Sequence, residues 1–141
     1  MQSKLTTEAR FWTKVQKTDG CWLWMAGKYP EGYGSFWLDG TAVRAHRYAY
    51  ELLIGPIPKG LTLDHLCRVR HCVNPADLQP VSHRENILRG EGVAATAARQ
   101  AHCLHGHPYD EANIYHNPKK PTWRQCRACH RAYMRTYRAK V

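Results

Sequence analysis

The feature that most constrains the fold of this 141-residue chain is a set of cysteines and histidines near its C-terminal end. Cys103 and His107 form a Cys-x3-His pattern, and Cys126 and Cys129 form a Cys-x2-Cys pattern, with eighteen residues between the two. Two such pairs are typical of a closed, tetrahedral structural zinc site. Since the segment has little apolar material, we expect zinc binding to supply its folding free energy. His105 is an alternative ligand to His107.

The composition favours a polyanionic partner. Lys and Arg number 21 against 11 acidic residues, which gives a formal net charge of +10 and a pI near 9.6. This imbalance is typical of nucleic-acid-binding proteins, although it can also serve solubility alone. No stretch resembles a signal peptide or a membrane span. We therefore expect a cytoplasmic location, no membrane partner and reduced cysteines.

Capping and turn signals divide the chain into short helices and strands. Helical patterns occupy residues 6–17, 44–54, 82–89 and 93–99. Asp39-Gly40 predicts a tight turn between two antiparallel strands. A strand beginning at Leu61 precedes the third helix, in which Ser82 and Glu85 form a capping box. Residues 61–89 therefore predict a ββα outline.

Asp64 and His65 lie side by side on that predicted strand and carry the chemistry. Adjacent strand residues point to opposite faces, so the two side chains have different tasks. Asp64 can bind a divalent cation while His65 acts as a general base on water. The following helix brings Asn86 within reach as a second oxygen ligand, and such ligands suit Mg²⁺, with Mn²⁺ as a substitute. The ion would polarise a phosphodiester and stabilise its leaving oxygen.

The run from Asp64 to Leu78, followed by Asn86, resembles the HNH endonucleases of bacteriophages. It also resembles their relatives, the His-Cys box homing endonucleases. The likeness extends upstream through Gly20–Trp24, Gly32-Tyr33-Gly34 and Ala45-His46-Arg47, so that it covers residues from about 11 to 90. The resemblance implies a ββα-metal nuclease in a phage or its bacterial host cell.

The resemblance also implies individual roles for the site residues. The residue matching His65 is the general base, and the residue matching Asn74 orders the loop backbone. Those matching Asp64 and Asn86 bind the catalytic metal. Because many HNH enzymes use a histidine as the helical ligand, His83 remains an alternative to Asn86.

A second zinc site beside the catalytic loop is implied by the same resemblance. Cys67 and Cys72 flank the loop, and a tetrahedral site would need two further ligands. The His-Cys box enzymes indicate Cys21 as the third ligand. Their fourth ligand is a histidine, but Asp77 stands at that position here, and His71 is an alternative. Three buried thiols without metal are the competing interpretation.

Arginines are the candidates for holding DNA. Those near the scissile bond and those at helical spacing near the C-terminus are Arg47, Arg68, Arg70, Arg131, Arg135 and Arg138. For the C-terminal zinc site, the Gly-His-Pro turn resembles the tails of phage HNH proteins and favours His107 over His105.

Together these patterns predict an α+β fold with a small ββα-metal core. Residues 1–90 would form the nuclease domain with an N-terminal antiparallel hairpin region, 91–102 a connecting helix or linker, and 103–141 a zinc-knuckle module with a basic helix. We predict a metal-dependent endonuclease that acts on double-stranded DNA and carries two structural zinc ions. A homodimer would allow cleavage of both strands. The rival function is that of a non-catalytic, zinc-dependent DNA-binding protein.

Overall fold

Short helices and two-stranded antiparallel sheets alternate along residues 5–140, which the structure, a computed structural model, describes apart from the side chain of residue 122. This arrangement confirms the predicted α+β class. The chain divides into two units between Arg89 and Gly90. None of the described helices is long and apolar enough to cross a bilayer.

The first unit begins with a helix that is shorter than the sequence predicts. Helix α1 spans Thr7–Trp12, and the Thr6 side chain caps it by accepting a hydrogen bond from Ala9 N at 3.2 Å. The prediction of a helix over residues 6–17 is therefore wrong at its C-terminal end. Strand β1 (Val15–Lys17) instead pairs with β2 (Trp22–Trp24). Tertiary pairing here overrides a weak local helix preference.

The predicted hairpin and second helix are confirmed. Strands β3 (Ser35–Leu38) and β4 (Thr41–Arg44) pair in antiparallel register around a two-residue turn. Its residues, Asp39 and Gly40, have φ values of 44° and 86°, as a hairpin turn with both central residues at positive φ requires. Helix α2 follows directly and spans Ala45–Leu53.

An aromatic core fixes these elements. Its fully buried members are Phe11, Trp24, Phe36, Ala45, Ala49 and Val73. Gly34 lies against this core, where a Cβ atom would come within 2.7 Å of the Trp24 ring and 2.9 Å of the Ala45 Cβ. The close approach of the chain at this position therefore requires glycine.

The predicted ββα outline is also present. Strand β5 (Leu61–His65) pairs antiparallel with β6 (Leu78–Ser82), and a 3₁₀ turn at Pro75–Asp77 precedes β6. Helix α3 (His83–Arg89) packs on both strands. The Ser82 hydroxyl accepts a hydrogen bond from Glu85 N at 3.1 Å, as its capping role predicts.

The second unit has a much smaller core. It contains α4 (Val93–Arg99), β7 (Ile114–Asn117), β8 (Lys120–Cys126) and α5 (Arg127–Arg138). Ala95 and Cys126 are the buried apolar residues described in it. The side chain of Arg124 bonds to the carbonyl oxygens of Ala97 and Gln100 and so connects β8 to the end of α4.

Candidate active site and metal clusters

Asp64 and His65 end strand β5 and are both almost fully buried, with 3% and 6% of their surfaces exposed. In the register of the β5–β6 sheet, Asp64 lies opposite Gln79 and His65 lies opposite Leu78. Buried ionisable groups require compensating partners, since loss of hydration is costly. The surroundings of these two side chains therefore determine their chemistry.

The imidazole ring of His65 is held by a backbone carbonyl. Its Nε2 lies 3.0 Å from the Cys72 carbonyl oxygen, which can only accept. The proton of the neutral ring therefore resides on Nε2, and Nδ1 carries the lone pair. Burial lowers the pKa of His65, against the opposing effects of the Cys72 carbonyl and the Asp64 carboxylate. A neutral imidazole with an available lone pair can accept a proton from water.

Asp64 is paired unequally at its two oxygens. Its Oδ1 accepts a hydrogen bond of 2.7 Å from Arg68 Nη1, whereas Oδ2 is 3.6 Å from Arg89 Nη1 and has no hydrogen-bond partner among the described residues. Arg68 adopts a left-handed backbone conformation with φ 59°. Such a conformation is unfavourable for a residue other than glycine and recurs at functional sites.

Asn86 reaches the face of β5 that carries Asp64. Its Nδ2 donates a 3.2 Å hydrogen bond to Thr62 Oγ1, and Thr62 is two residues before Asp64 and so shares its face. His83 is exposed at the first residue of α3. Of the two candidate helical ligands, it is thus Asn86 that has a contact placing it on the Asp64 face of the strand.

Three residues at this site received no role from the sequence: His46, Tyr33 and Arg89. His46 is 4% exposed, and its ring centroid lies 4.7 Å from that of His65. The Tyr33 ring lies 5.3 Å from His46 and 5.8 Å from His65. Burial, followed by the nearby charge of His65, lowers the pKa of His46 to about 3, so its ring is neutral. Ala45, His46 and Ala49 lie at the spacing of one face of helix α2, and this spacing is the signal that could have predicted the burial of His46.

The first cluster of possible metal ligands joins distant parts of the first unit. Cys21, Cys67, Cys72 and Asp77 place their ligand atoms within 4.8 Å of one another. Cys72 Sγ donates to Asp77 Oδ2 at 3.4 Å, and burial raises the pKa values of both Cys72 and Cys21. Three thiols and a carboxylate at this separation have the composition of a tetrahedral zinc site. The alternative ligand His71 is not part of this group.

Asn74 ties the loop of the first cluster together. Its Nδ2 donates to the Gly20 carbonyl at 2.8 Å, and its Oδ1 accepts from Ala76 N at 3.1 Å. Gly20 is adjacent to Cys21, so this side chain connects the two chain segments that contribute thiols. The loop-ordering task that the resemblance implies for Asn74 stays a prediction, and these contacts are the ones through which Asn74 would carry it out.

The second cluster lies in the second unit. Cys103, His107, Cys126 and Cys129 also place their ligand atoms within 4.8 Å of one another. His107 Nδ1 is 3.5 Å from Cys103 Sγ and 3.3 Å from Cys129 Sγ. His105 Nδ1 also lies 3.3 Å from Cys129 Sγ, so it stands beside the cluster. These four groups fit a closed zinc site.

Hydrogen bonding already favours a thiolate in the second cluster. Burial acts to raise the pKa of Cys126, but hydrogen bonds from the Cys129 backbone N–H and the Asn113 amide outweigh it and lower the value to about 6. Burial and the neighbouring cysteines raise the pKa of Cys129 to about 12. A divalent cation would relieve the mutual repulsion of such thiolates.

The candidate DNA-binding arginines are exposed but differ in their surroundings. Arg47 lies 3.9 Å from Glu51, and Arg70 donates to the Glu31 carbonyl at 2.8 Å. The candidates Arg131, Arg135 and Arg138 are exposed on α5, as is Arg127 at its first residue. The Tyr133 and Tyr137 rings stack on the same helix at 6.3 Å.

Residues 43–88 match the model of the HNH endonuclease family. This segment belongs to that family. The HNH segment contains β5, β6, nearly all of α3 and the Asp64–His65 pair, as well as His46. The resemblance to the HNH endonucleases is thereby confirmed.

Two phage proteins are similar to parts of the chain. Protein 7.7 of Escherichia phage T7 is 34% identical over 68 residues, which are 48% of this chain and 52% of that protein. The uncharacterized gene 5.3 protein of Enterobacteria phage T3 is 41% identical over 44 residues, which are 31% of this chain and 44% of that protein. The chain thus spans about half the length of these curated relatives. No solved structure matches it significantly.

Proposed function

We propose that the chain is a metal-dependent DNA endonuclease of the phage or homing type that hydrolyses phosphodiester bonds. The observation that carries this proposal is the state of His65. Its Nε2 is bonded to the Cys72 carbonyl, which leaves the Nδ1 lone pair for a water molecule, and it lies directly beside a buried carboxylate. A purely structural zinc protein has no need of this arrangement.

In the proposed reaction His65 Nδ1 accepts a proton from water as the water oxygen attacks the phosphorus. The bond from phosphorus to the 3′-oxygen breaks, and this oxygen takes a proton from solvent water, so that the products carry a 5′-phosphate and a 3′-hydroxyl. Fixing the ring through Cys72 keeps Nδ1 directed at one place, which reduces the entropic cost of the attack. The reaction neither oxidises nor reduces any group.

Asp64 and Asn86 fit a catalytic Mg²⁺ or Mn²⁺ ion. The buried Oδ2 of Asp64 lacks a hydrogen bond, and the Asn86 amide is fixed on the same face of β5. Carboxylate and amide oxygens are the ligands that these ions prefer. When bound, the ion polarises the phosphodiester and stabilises the leaving oxygen. His83 remains the alternative to Asn86, and its exposed position leaves it free to contact the substrate instead.

The structural metals in this proposal are two zinc ions. One would bind Cys21, Cys67, Cys72 and Asp77, and the other would bind Cys103, His107, Cys126 and Cys129. Each set has four ligands and leaves no open position for chemistry. Double-stranded DNA would be held by phosphate contacts, which carry most of the non-specific affinity. The arginines proposed for this task are Arg47, Arg68, Arg70, Arg131, Arg135 and Arg138.

Cleavage of supercoiled plasmid in the presence of Mg²⁺ tests the proposal. We expect the wild type to nick or linearise the plasmid, EDTA to stop the reaction, and His65→Ala to lower the rate by at least about a hundredfold, the contribution of a general base. The exposed His116→Ala is the matched control and should cleave normally. Equal rates for wild type and His65→Ala would exclude His65 as the base. Tight DNA binding without cleavage would favour the zinc-dependent DNA-binding protein.

A further inference from the structure

A cavity of about 400 Å³ lies in the second unit, between the β7–β8 sheet and the first turns of α5. Its lining residues are Tyr115, Gln125, Arg127, His130 and Arg131. None of the five belongs to the second metal cluster. A cavity of this size can enclose one small ligand or one unit of a longer one. The proposed function gives a task to Arg131 alone, so the other four residues of this Tyr115 cavity have none.

The Tyr115 cavity carries positive charge that no neighbouring group neutralises. Arg127 and Arg131 lie one helical turn apart on α5, and their side chains form no ion pair or hydrogen bond with the described residues. Like charges at this spacing repel each other and destabilise the helix. Residues 112–141 contain eight Lys and Arg residues and no acidic residue. A bound anion such as a phosphate group would relieve the repulsion.

An aromatic ring forms part of the cavity wall. Tyr115 on β7 lies opposite Gln125 on β8 in the antiparallel register, so the two side chains share one face of the sheet. Tyr115 is 41% exposed, and its ring contacts no other aromatic ring in the part of the chain that the structure describes. An exposed ring beside basic side chains is typical of sites on which an unpaired base stacks. Contacts with the phosphates of a duplex would not need this ring.

Gln125 and His130 add hydrogen-bonding groups to the same cavity. Gln125 Nε2 lies 3.2 Å from His130 Nδ1, and because the amide nitrogen can only donate, Nδ1 is the acceptor. The N–H of the imidazole ring is therefore at Nε2. The cavity thus combines a ring N–H and an amide group with two guanidinium groups, which suit the edge of a base and a phosphate respectively.

We propose that the Tyr115 cavity binds an unpaired nucleotide of a single-stranded DNA segment. The base stacks on Tyr115, and Arg127 and Arg131 bind the phosphate. The inference rests on the proposed function, because it specifies the DNA on which the chain acts. It gives the second unit a preference for DNA with an unpaired segment, whereas the phosphate contacts proposed for Arg135 and Arg138 need only a duplex.

Fluorescence anisotropy with a labelled 12-nucleotide oligo(dT) and a labelled 12-base-pair duplex tests the proposal. The zinc-loaded full chain is used without Mg²⁺, so that binding is measured in the absence of cleavage. We expect Tyr115→Leu, which keeps an apolar side chain but removes the ring, to weaken oligo(dT) binding about tenfold, as the loss of one stacked base implies. Its affinity for the duplex should not change. Tyr115→Phe and the control Tyr137→Leu, which removes an exposed tyrosine outside the cavity, should bind as the wild type does.

The salt dependence of binding tests the phosphate contact separately. Arg127→Gln should reduce the slope of log affinity against log salt concentration by about 0.7 for oligo(dT), the value for one phosphate of a single strand. Lys119→Gln removes the same charge from an exposed position outside the cavity and should leave the slope unchanged. Equal slopes in the two variants would mean that net charge alone matters, which would overturn the proposed phosphate contact.

Oligo(dT) binding by Tyr115→Leu at the wild-type affinity would overturn the proposal, and so would equal losses in Tyr115→Leu and Tyr137→Leu. Tighter binding of oligo(U) than of oligo(dT) would overturn the assignment to DNA. Circular dichroism and zinc stoichiometry establish that each variant is folded. Plasmid cleavage tests the proposed function independently. A chain that cleaves plasmid but binds oligo(dT) without Tyr115 loses only the cavity proposal, whereas one that binds oligo(dT) through Tyr115 but cleaves nothing loses only the proposed nuclease activity.

Discussion

The two units place similar metal clusters in very different surroundings. In the first unit the cysteine cluster accompanies an aromatic core with Phe11, Trp24 and Phe36 fully buried. In the second unit only Ala95 and Cys126 are buried apolar residues among those described. A bound metal would therefore have a different energetic role in each. With zinc bound as proposed, the second unit would depend on its ligands for folding, whereas the first unit would need them to order one loop beside His65.

The largest effect should follow loss of a ligand from the second cluster. We expect His107→Ala to unfold residues 103–140, because structural zinc contributes about 10–16 kcal/mol of apparent binding free energy in small domains. NMR amide dispersion and zinc content measure the result, with zinc falling from two ions per chain to one. His105→Ala is the matched control. Retention of zinc by His107→Ala together with its loss from His105→Ala would reverse the ligand assignment.

A ligand substitution in the first cluster should affect catalysis more than folding. Cys21→Ser removes a thiol from a segment distant in sequence from His65 and leaves the aromatic core intact. We expect a folded protein whose cleavage rate falls about 10–100-fold, the usual cost of disturbing groups that orient a site. Circular dichroism and plasmid cleavage measure the two effects. Unfolding of the first unit would mean that its core is not self-sufficient, and the distinction between the units would disappear.

Replacement of the unusual fourth ligand should strengthen the first cluster. Asp77→His installs the residue type that the His-Cys box relatives carry at this position. We expect zinc to bind about tenfold more tightly, because imidazole is a favoured zinc ligand, while cleavage is unchanged. Competition with a chromophoric chelator measures the affinity, and Asp77→Asn is the control, with weakened binding. Unchanged affinity in both variants would remove Asp77 from the ligand set.

The smallest effect concerns acid stability of the first unit. The pKa of His46 is lowered to about 3 from 6.5, so below pH 6.5 the unfolded chain binds a proton that the folded chain does not. The free energy of unfolding therefore decreases as the pH is lowered, and this residue accounts for a loss of about 1 kcal/mol between pH 6.5 and pH 5.5. Urea unfolding of zinc-loaded wild type and His46→Phe measures the difference. Parallel pH profiles would show that His46 does not contribute.

Local patterns in the sequence predicted those structural features that depend only on residues close together in the chain. The Asp39-Gly40 hairpin, the Ser82 cap and the Cys126-x2-Cys129 pair each require only a short segment, and the structure contains all three. Different tasks for Asp64 and His65 could be predicted because adjacent residues on a strand point to opposite faces of the sheet.

The remaining features depend on tertiary contacts. Helix α1 ends early because Val15–Lys17 finds a partner strand, which helical periodicity does not reveal. His46 and Arg89 reach the site from two different helices, and their contacts with His65 and Asp64 are set by packing rather than spacing. Sequence patterns therefore locate the candidate base and the candidate metal ligands but miss the side chains that surround them.

Cys72 serves two sites through two different groups. Its thiol belongs to the first cluster, while its backbone carbonyl holds His65. Any amino acid at position 72 would supply the carbonyl, but only a ligand can supply the metal bond. The cysteine side chain would therefore serve to hold the loop, and it would take no part in the hydrolysis itself. A redesigned loop held by apolar packing or a salt bridge could dispense with the proposed metal and keep the proposed base in place.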